Sequence, residues 1–205
     1  MQPESCATNQ DRRSFIEQAR RHQIVGGAIE ALAELGYARA SFTRIAERAG
    51  VSPALISYHF ASKEELLEQV VTNVVESMRT ASVQAEEATS YAEALRIVIE
   101  SQVRYFADHR TETAALQAIR SAAGTAPSAA AWAARNRSLV EFQNLLEGGQ
   151  RVEEFGDFPP RVMAAAILAS LEAVPAELRA QPDADAGDYA RELAALFDRA
   201  TRRAG

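Results

Sequence analysis

The chain has 205 residues, of which 47% are hydrophobic and 24% charged, so it can bury one large core or two smaller ones. It contains no apolar run of bilayer-spanning length, its first ten residues carry no apolar signal core, and Cys6 is its only cysteine. These features argue against a membrane-spanning protein, an exported protein and a disulfide framework, and we expect a cytoplasmic helical protein with no membrane association.

The formal net charge of −6 is unevenly distributed along the chain. Residues 1–63 contain eight Arg or Lys and six Asp or Glu, whereas residues 64–205 contain 14 and 22. If residues 1–63 form a mildly basic domain, the head, and residues 64–205 an acidic domain, the body, then only the head would be attracted to an anionic partner. Ordinary variation of a solvated surface explains the same numbers equally well, so charge alone does not decide between them.

The first predicted helix runs from about Arg12 to Leu35 and follows a flexible tail over residues 1–11. Its apolar residues recur with helical spacing and form one stripe: Ile24, Val25, Ala28, Ile29, Leu32 and Leu35. Gly26 and Gly27 interrupt this stripe, at a cost of about 1 kcal/mol each relative to alanine. We interpret them as a place where another helix approaches closely, although merely tolerated glycines would give the same pattern.

Residues 41–59 have the pattern of two short helices joined by a tight turn. The apolar stripe of the first helix consists of Phe42, Ile45, Ala46 and Ala49. Ser41 can cap this helix, and Gly50 can end it because a positive φ costs glycine least. Ser52 can cap the second helix, with Pro53 at its first position, where a missing N–H is harmless. The pattern predicts a helix-turn-helix, which places its second helix in the DNA major groove.

Six more helices are predicted after this unit, which gives about nine in all. Four of them are expected at about residues 62–85, 90–109, 111–123 and 128–147, and the last two begin near 159–160 and 185–187. Capping boxes of the S-x-x-E type open the fourth helix at Ser62 and the fifth at Ser90. Gly148 and Gly149 are expected to stop the seventh helix, and Pro175 to kink or end the eighth.

Residues of about 13–67 resemble the N-terminal domain of the TetR family of transcriptional regulators. The resemblance rests on the long first helix, the Gly36-Tyr37 break, Ile-Ala-Glu-Arg-Ala-Gly-Val-Ser at 45–52, Tyr-His-Phe at 58–60, and Ser-Lys-Glu-Glu-Leu-Leu at 62–67. Ala54 and Ser57 depart from the glycine and tyrosine that are frequent in the family. Both positions belong to the expected DNA face, so the departure concerns the operator sequence and not the fold.

The resemblance implies an all-α fold with a three-helix DNA-binding domain at 12–63 and a helical ligand-binding and dimerisation domain at 64–205. It also implies a ligand-responsive regulator of transcription, with repression as the usual mode. A homodimer is expected on physical grounds too, because one short recognition helix covers few base pairs, whereas two related helices bind a palindromic operator in double-stranded DNA. A ligand that favours another head spacing would then release the DNA.

The residues expected to contact DNA lie between the start of the second helix and the start of the fourth: Thr43, Arg44, Ser52, Pro53, Ala54, Ser57, Tyr58, His59 and Lys63. The short side chains of Ala54 and Ser57 suit base edges or a thymine methyl group. Larger polar members such as Tyr58 and Lys63 suit phosphates, which fix the register without reading sequence. His59 either contacts DNA or packs at the helix end.

The last two helices resemble the pair that forms a four-helix dimer interface in many members of the family. This likeness covers Phe158-Pro-Pro-Arg with the alanine-rich helix after it, and the segment 188–201. The residues expected at the dimer interface are Ala165, Leu168, Ala169, Leu171, Leu193, Leu196 and Phe197. Each of them could instead make core contacts within one subunit.

A ligand cavity is expected in the body, where the alanine-rich segment 113–135 lets helices pack closely or leaves space between them. The candidate lining residues are large and mostly apolar: Tyr105, Phe106, His109, Trp132, Phe142 and Met163. Each of these residue types is more often core than pocket, and His109 could equally cap a helix. The hypothesis is an unidentified, largely apolar small-molecule ligand.

An enzyme is not expected, and neither a catalytic residue nor a cofactor is assigned. His22, His59 and His109 are widely separated and have no metal-ligand spacing. The sequence also lacks a glycine-rich phosphate loop and a nucleophile elbow. Two alternatives remain open: a helical scaffold that binds only proteins, and a ligand-binding protein without operator-specific DNA binding.

Overall fold

The computed structural model describes residues 9–122, 129–181 and 183–203, and these ranges fold into helices as predicted. The α-helices are α1 (Asn9–Leu35), α2 (Phe42–Ala49), α3 (Pro53–His59), α4 (Lys63–Ala81), α5 (Tyr91–Asp108), α6 (Arg110–Ser121), α7 (Ala129–Arg151), α8 (Pro160–Ala180) and α9 (Ala186–Thr201). Cys6 and the predicted break at 124–127 lie outside the described residues. No helix of the described ranges combines the length and apolarity needed to span a membrane.

The helix-turn-helix forms through the local signals expected from its sequence. The Ser41 hydroxyl accepts a hydrogen bond from the N–H of Arg44, and the Ser52 hydroxyl accepts one from Leu55, at 3.2 Å. Gly50 has φ +63°, the left-handed conformation that ends α2. The predicted caps and the turn are therefore confirmed.

The close approach of α1 and α2 depends on one of the two glycines. A Cβ atom on Gly27 would lie 2.6 Å from the backbone nitrogen of Ala49, whereas a Cβ on Gly26 would meet nothing within 4 Å. The Gln23 side chain strengthens the same contact by donating to the Ala49 carbonyl at 2.7 Å. The interpretation as a contact point is confirmed for Gly27 and wrong for Gly26.

Several predicted helix boundaries are wrong. α1 begins at Asn9, inside the expected tail, and α4 ends at Ala81, after which a 3₁₀ helix spans Val83–Glu87. α7 continues through Gly148 and Gly149 to Arg151. Both glycines are buried, and a Cβ atom there would collide with the rings of Tyr91 and Phe155, so their role is close packing.

The eighth helix contains Pro175 without ending there. α8 continues to Ala180, and Pro175 is buried among the surrounding helices. A proline in a helix interior removes one backbone hydrogen bond, at a cost of about 3 kcal/mol. The burial of this apolar helix outweighs that cost, which local sequence rules alone do not capture.

The body is built around α5, which packs against α7, α8 and α9. α6 packs along α1, and α4 contacts α1, α6 and α7, so both α4 and α6 connect the N-terminal helices to the body. A continuous cluster of buried apolar residues extends from Ile24 and Ile56 to Ile99 and Leu171. Because α6 packs directly against α1 in this close-packed interior, a displacement of α6 would also displace α1.

Candidate DNA-binding surface and ligand cavity

The third helix has one buried side and one open side. Ile56 is fully buried in the apolar core and α3 packs against α2, whereas Ser52, Pro53, Ala54 and Ser57 are exposed. These four predicted contact residues thus lie together on a surface that no other part of the described chain covers. A two-turn helix with this exposure can enter a major groove.

Tyr58 extends this surface, because 79% of its area is exposed. Its ring packs edge to face against His59, with 5.1 Å between the ring centroids. His59 is half-buried, and its Nδ1 has no hydrogen-bond partner among the described residues. The aromatic pair places a large amphipathic side chain at the exposed end of α3.

The start of α2 supplies a second part of the surface. Thr43 and Arg44 are exposed, and the Arg44 guanidinium lies 2.9 Å from the carboxylate of Glu47. An exposed pair of this kind contributes about 0–1 kcal/mol, so Arg44 can exchange Glu47 for a phosphate at little cost.

Lys63, the only lysine of the chain, is held by the turn after α1. Its ammonium donates to the Tyr37 carbonyl at 2.7 Å and lies 4.5 Å from the centre of the Tyr37 ring. Partial burial lowers the pKa of Lys63. An ammonium carries three donors, so the Tyr37 contact leaves donors for the predicted phosphate contact.

Arg21 positions the end of α3, a role that sequence reasoning missed. Its guanidinium donates to the His59 carbonyl, lies 4.2 Å from the centre of the Phe60 ring, and is 3.6 Å from the Glu65 carboxylate. Glu65 in turn accepts the Ala61 N–H at 2.7 Å. The residues that meet here are up to 44 positions apart in the sequence, so helical periodicity gives no signal for this contact.

A cavity of about 270 Å³ lies in the body between α4, α5, α6, α7 and α8. Its apolar walls come from residues of all five helices: Val71, Val75, Met78, Val98, Phe106, Leu116, Phe142, Leu145, Leu168, Leu171 and Pro175. Two of the predicted ligand residues, Phe106 and Phe142, line this cavity. An apolar space with a few polar groups is typical of small-molecule sites.

The other four predicted ligand residues do not line this cavity. The ring of Tyr105 stacks on His109 at 4.2 Å, and burial raises the pKa of the Tyr105 hydroxyl. Trp132 is 61% exposed and lies on the outer side of α7, and Met163 packs near the start of α8. These residues were predicted because their side chains are large. Whether a side chain reaches the cavity depends instead on which face of its helix it occupies.

Polar residues at the cavity were missed by sequence reasoning. Arg120, Arg135 and Glu172 come from α6, α7 and α8, and the Glu172 carboxylate is paired with both guanidiniums. Thr113 also lines the cavity, and its buried hydroxyl has no hydrogen-bond partner in the described ranges. Thr113 and Arg120 share a helix face because they are seven residues apart, and this spacing could have indicated that both face the same cavity.

The predicted dimer residues fall into two groups. Leu168, Leu171 and Phe197 are buried within the chain, and the two leucines line the cavity, so these three residues make core contacts within one subunit, the alternative stated above. Leu196 is 51% exposed, Ala169 is exposed, and Ala165 and Leu193 are half-buried. The exposed side of α8 carries an apolar stripe with helical spacing: Val162, Ala166, Ala169, Ala173 and Ala176.

Two family profiles match the chain. Residues 24–70 match bacterial regulatory proteins of the tetR family, and residues 88–200 match the tetracyclin repressor-like C-terminal domain. The chain belongs to the TetR family of transcriptional regulators. TetR-family regulators are DNA-binding proteins and not enzymes, and the matches to both domains agree with the helix-turn-helix and the helical body described above.

Comparisons with individual proteins support the same assignment. The HTH-type transcriptional regulator BetI of Escherichia coli is 36% identical over 66 residues, which cover 32% of this chain and 34% of BetI. The match thus spans about a third of the length of BetI.

Solved structures resemble almost the whole chain at low identity. FadR from Bacillus subtilis superposes with a TM-score of 0.77 at 19% identity, covering 86% of this chain and 96% of FadR. A tetR-family regulatory protein from Rhodococcus RHA1 gives a TM-score of 0.75 at 22% identity, covering 91% and 98%. These likenesses show the fold of the TetR family.

Proposed function

We propose that this TetR-family protein is a ligand-responsive repressor that binds a palindromic operator as a homodimer in the cytoplasm. Residues 12–63 bind DNA, and residues 64–205 bind the ligand and the second subunit. The observation that carries the proposal is the open side of α3, where Ser52, Ala54 and Ser57 are exposed while Ile56 is fully buried.

The proposed DNA contacts divide by chemistry. Ala54 and Ser57 are short enough for base edges, and Tyr58, Arg44 and Lys63 hold phosphates on either side. Arg21 supports this arrangement because it ties the end of α3 to Phe60 and Glu65. The predicted role of His59 as a DNA contact remains part of the proposal.

The ligand occupies the cavity in the body. α6 forms one wall of this cavity and packs along α1 of the head, so a ligand that displaces α6 also displaces the DNA-binding helices. The ligand releases DNA to the extent that it binds the displaced state more tightly. FadR from Bacillus subtilis was solved with stearoyl-CoA, and compounds with an apolar chain are accordingly the first ligands to test here.

The second subunit packs on the exposed sides of α8 and α9. The apolar stripe of α8 and the exposed Leu196 of α9 support this placement. Two heads fixed by such an interface contact half-sites about 34–36 Å apart, or at a multiple of that spacing.

The experiment that tests the proposal compares DNA binding by the wild-type protein and by Ser57→Glu. We expect the wild-type protein to shift DNA from the region upstream of its own gene, and Ser57→Glu to lose this shift because a carboxylate on α3 repels phosphates. Val140→Glu, which places the same charge on the exposed side of α7 in the body, is the control that keeps the shift. A wild-type dimer that shifts no DNA at low salt would instead favour the protein-binding scaffold.

A further inference from the structure

One wall of the cavity described above carries a cluster of ion-paired side chains. Arg120 on α6 and Arg135 on α7 both pair with Glu172 on α8, and the Nε atom of Arg135 lies 3.1 Å from the Glu172 carboxylate. All three residues line the cavity. A carboxylate is therefore already bound between two guanidiniums at the cavity wall, and it is supplied by the protein itself.

The charge around the cavity has the opposite sign to the charge of the body. Residues 64–205 carry 14 Arg or Lys against 22 Asp or Glu, yet the cavity is lined by three arginines and two glutamates. Arg79 is the third arginine, and within the described ranges it makes no ion pair. An anion that enters the cavity thus meets a local excess of positive charge.

An independent observation indicates that the cavity takes a ligand with polar groups. The Thr113 hydroxyl is buried, lines the cavity, and lacks a hydrogen-bond partner among the described residues. Leaving a buried hydroxyl unpaired costs about 1–3 kcal/mol. Thr113, Gln117 and Arg120 lie on the same face of α6, so one molecule can contact all three.

We infer that the ligand is an amphipathic anion whose carboxylate-like group displaces Glu172 from Arg120 and Arg135, while its apolar part fills the cavity. This inference rests on the proposed function, because it names the chemical class of the effector. Displacement matters because the Arg120–Glu172 pair joins α6 to α8. When the ligand takes the place of Glu172, α6 is released from α8 and is free to move against α1.

The test measures binding of three probes with the same apolar chain to the DNA-free protein by calorimetry. The probes are decanoate, 1-decanol and decyltrimethylammonium. We expect decanoate to bind several-fold more tightly than decanol, because the cavity carries three arginines against two glutamates, although the gain is limited by the Glu172 pairs that the ligand replaces. Equal affinities, a preference for the cation, or no binding of any probe would overturn the inference.

Variants separate this role from a structural one. Arg120→Gln and Arg135→Gln should each remove the preference for decanoate, and the control Arg137→Gln, an exposed arginine of α7, should keep it. Glu172→Gln should bind decanoate several-fold more tightly, since the competing internal carboxylate is gone. If Glu172 only fixes the fold, the same change leaves decanoate binding unchanged or weaker, which would contradict the inference.

Circular dichroism establishes that each variant is folded. If either Arg120→Gln or Arg135→Gln fails to fold, the other variant tests the same prediction. The assay contains no DNA, so a failure of operator binding leaves its outcome unaffected. Conversely, an absent preference for decanoate leaves the operator test with Ser57→Glu intact.

Discussion

At the scale of single residues, the proposed DNA surface and the cavity differ in how their side chains are positioned. Ser52, Ala54 and Ser57 are placed by one short helix, whose direction follows from its caps. Arg120, Arg135 and Glu172 meet only because three helices pack together. The first group was predictable from local sequence, and the second was not.

Tyr58 offers the sharpest residue-scale test of the DNA surface. Tyr58→Phe removes only the hydroxyl and keeps the ring that packs against His59. We expect the affinity for every DNA sequence to fall about threefold to tenfold, because one phosphate hydrogen bond is lost. Fluorescence anisotropy with operator and unrelated DNA measures this. A loss confined to the operator would instead assign Tyr58 to base recognition.

The limits of prediction at this scale follow from residue type. Trp132 was selected because it is large and apolar, yet it is 61% exposed on the outer side of α7. Thr113 was overlooked because a threonine within a helix is ordinary in any sequence. Its significance comes from a buried hydroxyl without a hydrogen-bond partner among the described residues, which is visible only in the folded structure.

At the scale of elements, the contact between α1 and α2 depends on the absence of a single side chain. Gly27 faces the backbone of Ala49, whereas Gly26, one residue earlier, faces open space. The two glycines are therefore a matched pair for separating close packing from helix propensity.

Gly27→Ala should destabilise the protein by about 1–3 kcal/mol, because the new methyl group pushes α2 away from α1. Gly26→Ala should stabilise it by about 0.5–1 kcal/mol, because alanine favours the helix and meets no neighbour. Urea unfolding of both variants measures this difference. Equal effects of the two changes would show that α1 and α2 are not in close contact at Gly27.

The start of α5 has a pH-dependent cap. The backbone N–H and the hydroxyl of Thr89 both donate to the Glu93 carboxylate, and these hydrogen bonds lower the pKa of Glu93. Because the folded-state pKa lies below the unfolded one, the stabilisation is present above the unfolded pKa and is lost as the pH falls through the folded pKa.

Glu93→Gln should therefore lower the melting temperature at pH 7, and this effect should shrink as the pH falls below the range near about 4.3 in which unfolded glutamate titrates. Thermal unfolding at pH 3, 5 and 7 measures the difference, with the exposed Glu76→Gln of α4 as the control. If Glu93→Gln lowers the melting temperature by the same amount at pH 3, 5 and 7, the charged cap is ruled out.

Element boundaries were predictable where a cap defines them and failed where packing does. The caps Ser41, Ser52, Ser62 and Ser90 all accept the backbone hydrogen bond expected of them. At Gly148–Gly149 local rules predicted an end, but α7 continues to Arg151 because both glycines pack against other parts of the chain. At Pro175 the rules allowed an end or a kink, and α8 does not end there.

At the scale of the whole molecule, the fold connects three surfaces: the open side of α3, the cavity and the exposed sides of α8 and α9. The sequence predicted their order along the chain, because the family pattern and the helix caps define it. It did not predict which leucines of α8 face the cavity, because that depends on the rotation of the helix in the packed body.

The proposed dimer surface is tested by Leu196→Glu. Leu196 is half-exposed on α9, so the change should leave the fold intact while placing a charge in an apolar interface between subunits. We expect dissociation to monomers by analytical ultracentrifugation and a parallel loss of operator affinity. Val140→Glu, at an exposed apolar residue of α7, serves as the control and should remain dimeric.

The central claim is that two copies of α3 bind a specific DNA duplex. Selection of bound fragments from random double-stranded DNA by the purified wild-type protein tests it most directly. We predict enrichment of an inverted repeat whose half-site spacing fits two heads on one face of the duplex. Recovery of unenriched DNA by an intact dimer, or of a single half-site without symmetry, would contradict the account.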